Sequence, residues 1–434
     1  MNKLKDELGE EIYSWAVDLY PICRSLTGGG NRETLEFIKN VIPQLKMHSV
    51  ETGYKAFDWT VPNEWNISGG YIEDLNGSRI IDFNDSNLHV MGYSEPVEKT
   101  ITLEELQQHL YSIPSEPDAI PYKTSYYKKR WGFCLEDSKR LKLKDPEYLV
   151  KIDSVLAPGV LDYADVVIQG QSKEEILIST YICHPSLANN ELSGPVVAMA
   201  IARWVEKLDN YYTYRFVFVP ETLGSIVYLS KHYEHLKENV VAGYVLSCVG
   251  DDRNYSYLTT PEGNTYSDKV ARNVYTSNNI DYREYDFTYA GSDERQYCSP
   301  LIDLPIGSFM RTRYGDYPEY HTSMDDLSVI TPKGLAGAFQ VISTAIEVIE
   351  YDCVYSATLP CEPFLSNYGL YPDGTGHLSN SEDRNLVLLL AFSNSQRSLL
   401  DISNILNVPV GELNKLAMIL VENKLLSFVG RKHE

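Results

Sequence analysis

Apolar positions along the chain alternate between short β-type runs and longer helical stripes, and the clearest pair lies near the middle. Ile176 to Ile182 is an apolar, β-branched run that predicts a buried central strand. It ends at Cys183-His184-Pro185, and a polar loop then carries Asn189, Asn190 and Glu191 to Ser193-Gly194. Pro195 to Val205 follows with Val196, Ala198, Ala200, Ile201 and Trp204 at helical spacing. A His at the end of a central strand, with a carboxylate before the next helix, sits where α/β sheets place ligands and metals.

The rest of the chain repeats this grammar. A first helix is predicted over residues 6–25, with Ile12, Ala16, Val17, Leu19 and Tyr20 inward, and it leads into a glycine loop, Gly28-Gly29-Gly30. A second helix from Asn31 buries Leu35, Ile38, Val41 and Ile42. After the central pair come the strands YRFVFV, VVAGYVLSCVGDD and LPIGSFM, with helices over Ile226–His235, Ser267–Ser277 and Thr331–Tyr351. Strands alternating with helices predict an α/β domain with a mainly parallel sheet covered by helices. This domain is assigned to residues 1–48 and 165–352.

Two regions break the pattern. Between residues 49 and 164 Pro, Asn, Asp, Gly and aromatic residues cut the chain into short strands, so a β-rich insert is expected there. Within it KTSYYKKRWGFC is basic and aromatic; it is read either as a solvated strand edge or as an anionic-substrate wall near the active site. A Pro/Gly-rich linker spans 353–380. From 381 to 434 two short amphipathic helices and a strand form a winged-helix-like pattern. Its charges cancel, Arg384, Arg397, Lys415, Lys424, Arg431 and Lys432 against Glu382, Asp383, Asp401, Glu412, Glu422 and Glu434. A DNA reader needs a basic face, so protein contact or packing is the expectation for this tail.

Composition narrows the partners. The net charge of −22 argues against nucleic acid or an anionic membrane as a major partner. No apolar run is long enough to span a bilayer, and the N-terminus lacks the apolar core of a secretory signal. Seven scattered cysteines without CxxC spacing read as reduced thiols of a cytoplasmic protein.

His184, Glu191, Glu221, Asp293, Glu294 and His321 all fall at strand ends or in the following loops. Two His with carboxylates form a zinc donor set, with a carboxylate left to act as base. The motifs CHPSLANNELSGP, PETLGS, CVGDD, GSDERQYCSP and EYHTSMDDL together resemble those of zinc-dependent aminopeptidases. The likeness is greatest to a bacterial group described as polysaccharide-biosynthesis proteins with an aminopeptidase-like domain. That resemblance implies a phosphorylase/hydrolase-like sheet of the zinc-exopeptidase type, an inserted β module and a winged-helix tail. It puts the first zinc-binding His on His184 and the last on His321. It also puts the bridging Asp on Asn190, the paired Glu-Glu on Glu221-Thr222, and a further Asp ligand near Ser247.

Neutral Asn, Thr and Ser do not offset two adjacent dications, so one zinc per chain is expected. His184, His321 and Glu191 are the first choice of holders, with Glu221 as the other candidate carboxylate. The expected activity is exopeptidase-type hydrolysis of an amide bond. Glu221 serves as base, Asp293 or Glu294 anchors the free amino group, and Tyr320 hydrogen-bonds the developing oxyanion. Two alternatives stay open: an amidohydrolase acting on an amino-sugar or modified peptide, and an inactive aminopeptidase-fold binding module. Asp251-Asp252 is expected to be an Arg-paired structural element or part of the site.

Overall fold

The structure, a computed structural model, describes residues 2–370 and 381–432. Residues 371–380 of the expected linker and the last two of the tail lie outside them. The chain divides into two compact units, residues 1–261 with 284–339, and residues 262–283 with 340–434.

The first unit is organised by an eight-stranded sheet. Its strands are β1 (Lys46–Glu51), β2 (Val160–Ile168), β3 (Glu175–Tyr181), β4 (Thr213–Val219), β5 (Val240–Leu246), β6 (Ser256–Leu258), β7 (Arg283–Tyr285) and β8 (Ile306–Met310). Their order is β1-β2-β4-β3-β5-β8-β6-β7. The four central strands β4, β3, β5 and β8 run parallel, and antiparallel pairs flank them. Every residue of β3 and β4 is buried, as expected for parallel strands covered on both faces. Chain leaving β3 goes first to one side and then, through β5, to the other. This reversal places the ends of β3, β4 and β5 around one crevice.

Two helices frame the crevice, α1 (Ser193–Val205) and α2 (Leu223–Asn239). The stripe predicted for α1 is broader than expected, since its first ten residues are all buried. Its start lies so close to the sheet that a Cβ on Gly194 would stand 2.4 Å from both the Leu246 carbonyl and Thr180 Oγ1. Only Gly permits that approach. The predicted first helix ends at Leu19, not residue 25, because Pro21 disfavours a helical Tyr20.

Between β1 and β2 a four-stranded antiparallel sheet carries the insert, with strand order 79–82, 64–73, 147–157 and 97–102. Because β1 and β2 pair along Lys46–Asp165 to Glu51–Val160, both ends of the segment read as an insert belong to the large sheet.

In the second unit, strands Cys353–Ala357, Asn394–Ser398 and Leu426–Arg431 form a three-stranded antiparallel sheet beside helices 381–392, 399–406 and 410–422. The first of these strands takes up residues read as linker. Ser398 and Asp401 close a capping box at the start of the 399–406 helix. All seven cysteines are free thiols. Among the described residues no helix is long and apolar enough to cross a membrane.

Candidate active site

The chain leaving β3 reaches His184 and then a π-helical turn, Ala188–Leu192, in which all five residues are buried. Such turns are frequent at functional sites. Asp325 clamps this one, accepting the Asn189 and Asn190 N–H groups at 2.7 and 2.9 Å and the Tyr317 hydroxyl at 3.1 Å. The Asn189 amide then ties the turn to the end of β5, accepting from Gly250 N at 2.8 Å and donating to Asp251 at 3.2 Å. Asp251 also accepts the Thr312 N–H and hydroxyl at 2.9 and 2.8 Å. It is therefore a structural clasp, held by Asn189 and Thr312 rather than by an Arg side chain.

His184 stands between two carboxylates. Glu191 Oε2 lies 2.8 Å from Nδ1, and Glu221 Oε2 lies 3.8 Å from Nε2. Arg24, fully buried, donates to the His184 carbonyl at 3.0 Å and lies 3.6 Å from Glu191 Oε1. Burial alone would lower the His184 pKa, but its anionic surroundings raise it well above the ordinary value. Cys183 and Glu191, both beside Nδ1, are the groups that raise it, and the Cys183 thiol is itself pushed up to about 11 by burial.

His321 comes from the loop after β8 and has a left-handed backbone, φ +57°. Its carbonyl accepts the Tyr122 N–H at 2.8 Å, which fastens the insert to the site. Tyr320 stacks on the imidazole at 3.9 Å, and the centroids of His184 and His321 are 5.5 Å apart. Tyr122 touches both, at 5.0 and 5.2 Å. Burial, the neighbouring His184 and Lys123 push the His321 pKa down to about 3, leaving a neutral imidazole.

Glu221 ends β4 on a strained turn. Thr222 has φ 63° and ψ −73°, and Leu223 N donates to the Glu221 carbonyl at 2.7 Å, closing a three-residue turn. Asp293 holds it by accepting Thr222 N at 2.7 Å and the Ser225 hydroxyl at 2.9 Å. Ser292 donates to Glu221 Oε1 at 2.6 Å, leaving Oε2 towards His184. Burial, against the pull of the His184 charge, raises the Glu221 pKa, and burial together with Glu221 lifts Asp293 to about 8. Glu294 is engaged internally, with Oε1 accepting from Gly291, Ser292 and Tyr314 and Oε2 from Ser308 at 3.3 Å.

Buried polar atoms without a hydrogen-bond partner gather in this region: Asn190 Oδ1, Glu191 Oε1, Asp293 Oδ2, His321 Nε2 and an Arg24 amino group. Buried polar atoms are otherwise nearly always paired, so this concentration marks a place for a ligand or ion. Nearby, the Asn190 amide donates to the Tyr181 hydroxyl at 2.7 Å, which lies 2.6 Å from Ser247 Oγ. The positions that resemblance assigned to two acidic ligands are thus joined in a neutral chain.

The crevice brings together the predicted His184, Glu191, Glu221, Tyr320 and His321, with Asp293 behind the Glu221 turn. Sequence reasoning missed Arg24, Cys183, Tyr122, Ser292 and Asp325. Arg24 carried one usable signal, a cation beside a glycine loop; Cys183, Ser292 and Asp325 lie inside the motifs CHPSLANNELSGP, GSDERQYCSP and EYHTSMDDL, and Tyr122 directly precedes the basic aromatic segment.

Residues 13–352 match a family described as a domain of unknown function, DUF4910, and residues 353–428 match a winged helix-turn-helix family. A Clostridium acetobutylicum protein is 45% identical over 399 residues, 92% of this chain and 91% of that one. It is provisionally named a polysaccharide biosynthesis protein with an aminopeptidase-like domain. A crystal structure of a provisionally described peptidase from C. acetobutylicum superposes with a TM-score of 0.93 at 41% identity, covering 98% of each chain. A zinc aminopeptidase from Bacillus subtilis shares the fold at a TM-score of 0.57 and 13% identity, over 78% of this chain and 94% of that one. The chain belongs to the DUF4910 family, with an aminopeptidase-like α/β fold and a C-terminal winged helix-turn-helix.

Proposed function

We propose that this chain is a zinc-dependent hydrolase of the exopeptidase type, cleaving an amide bond with one ion per chain. The observation that carries the reading is the facing pair His184 and His321, the latter with an unpartnered Nε2, beside Glu221 Oε2 at 3.8 Å from His184 Nε2. Two imidazole nitrogens suit zinc, whose binding would displace the proton that His184 otherwise keeps, and the carboxylate beside them is free to act as base.

The side of His184 on which an ion would sit follows from charge. The Nδ1 side offers Cys183 and Glu191, whose donor atoms lie within 4.8 Å of one another and of Nδ1. It also holds the Arg24 guanidinium, 3.6 Å from Glu191, and a dication there would face that charge. On the Nε2 side Glu221 is paired with no Lys or Arg among the described residues, and Lys123, the cation that bears on His321, is exposed. Glu191 therefore belongs behind His184, where it fixes the tautomer and orientation of the ring, as carboxylates commonly do for metal-binding His. His184 Nε2 and His321 Nε2 would hold the ion, and the neutral Asn190–Tyr181–Ser247 chain supports a single ion.

A zinc ion held there supplies Lewis-acid polarisation of the amide carbonyl and a more acidic water. Glu221 keeps 26% of its side chain exposed to the crevice. Its Oε2 takes the proton of the attacking water and passes it to the leaving amine, while Ser292 fixes Oε1. Asp293 keeps the Glu221 turn in place, and an ammonium group at its unpartnered Oδ2 would supply the opposite charge that draws this raised carboxyl back to its ionised, accepting form. Tyr320 holds the His321 ring by stacking and stands next to the developing oxyanion.

The provisional name of the 45%-identical relative supports a second substrate reading, an amide on an amino-sugar. Elemental analysis tests the metal: about one zinc per chain is expected in the native protein and little in His184→Ala or His321→Ala. Aminoacyl-anilides assayed beside N-acyl amino-sugars separate the substrates. Glu221→Gln should keep its zinc and lose activity; loss of the zinc would make Glu221 a third holder.

A further inference from the structure

The insert contributes a segment to the mouth of the site that amide hydrolysis leaves unused. Residues 122–130 begin at Tyr122, whose ring touches both His184 and His321, and run outward through Tyr126 and Tyr127. Their path is built around buried Ser125. Its N–H donates to the Gly92 carbonyl at 2.9 Å, its hydroxyl donates to the Lys128 carbonyl at 2.9 Å, and Arg130 Nε donates to that hydroxyl at 2.8 Å.

Two properties set the segment apart. The first is charge: Lys123, Lys128, Lys129 and Arg130 are all exposed, and no acidic residue occurs between Asp118 and Glu136. None of the four makes an ion pair among the described residues. In a chain of net charge −22, four uncompensated cations beside the crevice are a local attractor for anions.

The second property is an aromatic surface continuing outward from the His pair. Tyr127, 56% exposed, donates to the Thr60 carbonyl at 2.9 Å and lies 6.5 Å from the Trp59 ring. Trp59 and Phe57 line a depression of about 280 Å³ whose polar lining is Asp58, Gln296 and Ser299. Phe57 projects its ring into solvent from a left-handed backbone, φ +56°, which costs about 1–3 kcal/mol in a non-glycine residue. Exposed aromatic faces with hydrogen-bonding groups beside them suit a pyranose ring, which is apolar on its faces and polar at its edge.

We propose that this surface is an extended subsite for a sugar ring bearing an anionic substituent, phosphate or carboxylate. The ring lies on Trp59 and Phe57, and the charge faces Lys128, Lys129 and Arg130. The assignment deepens the hydrolase reading and rests on it for its place in a substrate, although sugar binding is measured independently of hydrolysis.

Isothermal titration of the full chain tests it with glucosamine 6-phosphate, glucuronate, glucosamine, inorganic phosphate and a Leu-Gly dipeptide as probes. At least one anionic sugar is expected to bind about tenfold or more tighter than glucosamine, phosphate and the dipeptide, and to weaken as salt rises. The two anionic probes separate phosphate from carboxylate. Lys128→Glu with Lys129→Glu, both exposed, should weaken binding at least about tenfold with an unchanged thermal midpoint, and Trp59→Ala should weaken it as well. Equal binding of glucosamine and the anionic sugars, phosphate as tight as its sugar, a dipeptide that binds best, or indifference to these variants overturns the proposal. Native protein without zinc or amide hydrolysis would sink the hydrolase reading alone, leaving this binding result to stand or fall separately.

Discussion

Asp293 accepts the backbone N–H of Thr222 at 2.7 Å, and through that bond a buried carboxylate holds the turn on which Glu221 stands. Thr222 occupies φ 63°, ψ −73°, a conformation that costs a residue with a Cβ about 1–3 kcal/mol. Asp293→Ala removes the acceptor and leaves a backbone donor unpaired, with an expected loss of about 1–3 kcal/mol in chemical denaturation. It should also lower kcat by about 100-fold, the scale of a misplaced catalytic group. Thr222→Gly should do the opposite to stability, raising it by about 1 kcal/mol as strain is released, while kcat still falls. A parallel fall of stability and kcat in both variants would show that Asp293 acts only as core packing.

Glu191 and Arg24 should separate orientation from charge. Glu191→Gln keeps an acceptor near His184 Nδ1 but removes the anion, and zinc affinity in competition with a chelator should fall about 10–100-fold. Arg24→Met leaves the Glu191 charge buried beside it without its guanidinium, with an expected cost of about 3–5 kcal/mol. Adding Glu191→Gln to Arg24→Met should recover part of that cost, because the orphaned charge goes with it. Additive losses in the double variant would rule out their coupling.

The strand-end residues were legible because the buried runs before them are legible. Ile176–Ile182 and the apolar stretch before Glu221 read as strands from composition alone, so His184 and Glu221 could be placed at one sheet edge. What each does there was not legible. Glu191, the first choice as a zinc holder, lies with Cys183 and His184 in a cluster of metal-ligating atoms, and the π-turn also sets it 2.8 Å from Nδ1 of His184 and 3.6 Å from Arg24, 167 positions earlier in the chain. No local pattern encodes that pairing, because it is set by the long-range bond from Arg24 to the His184 carbonyl. Asp251 was legible as a structural element, but the sequence suggested an Arg as its partner, and the Asn189 and Thr312 contacts that make it a clasp are long-range. The insert boundaries blurred for the same reason: β1 and β2 look locally like any short strands, and their sheet is decided by a long-range pairing.

Asn190→Asp tests the neutral chain at the site. A carboxylate there would stand where Asn190 now donates to the Tyr181 hydroxyl, which is itself 2.6 Å from Ser247. Restoring one acidic group does not supply a second ion with enough negative donors, since Thr222 and Ser247 remain neutral. Zinc content should stay near one per chain by elemental analysis, and stability should fall by about 1–3 kcal/mol for the added buried charge. A rise to two ions per chain would contradict the single-ion reading.

Acid stability offers a test away from the site, at Glu64. Burial alone would raise its pKa, but the hydrogen bonds from Arg32 at 2.6 Å, Asn66 at 2.9 Å and the Val160 N–H at 2.9 Å outweigh it and bring it to about 2. Arg32 also binds Asp162 at 2.8 Å, so this carboxylate ties the 29–41 helix and the insert strand 64–73 to β2. A carboxylate depressed in the folded state contributes stability above its ordinary pKa, and loses it as pH falls through the folded value. Native protein should therefore lose stability more steeply than Glu64→Gln between about pH 4.5 and pH 2, with the two converging at the acid end. Arg32 is 38% exposed, so salt should narrow the gap above pH 5. Urea denaturation at stepped pH reads both effects, and parallel curves for the two proteins would exclude Glu64 as a source of the acid lability.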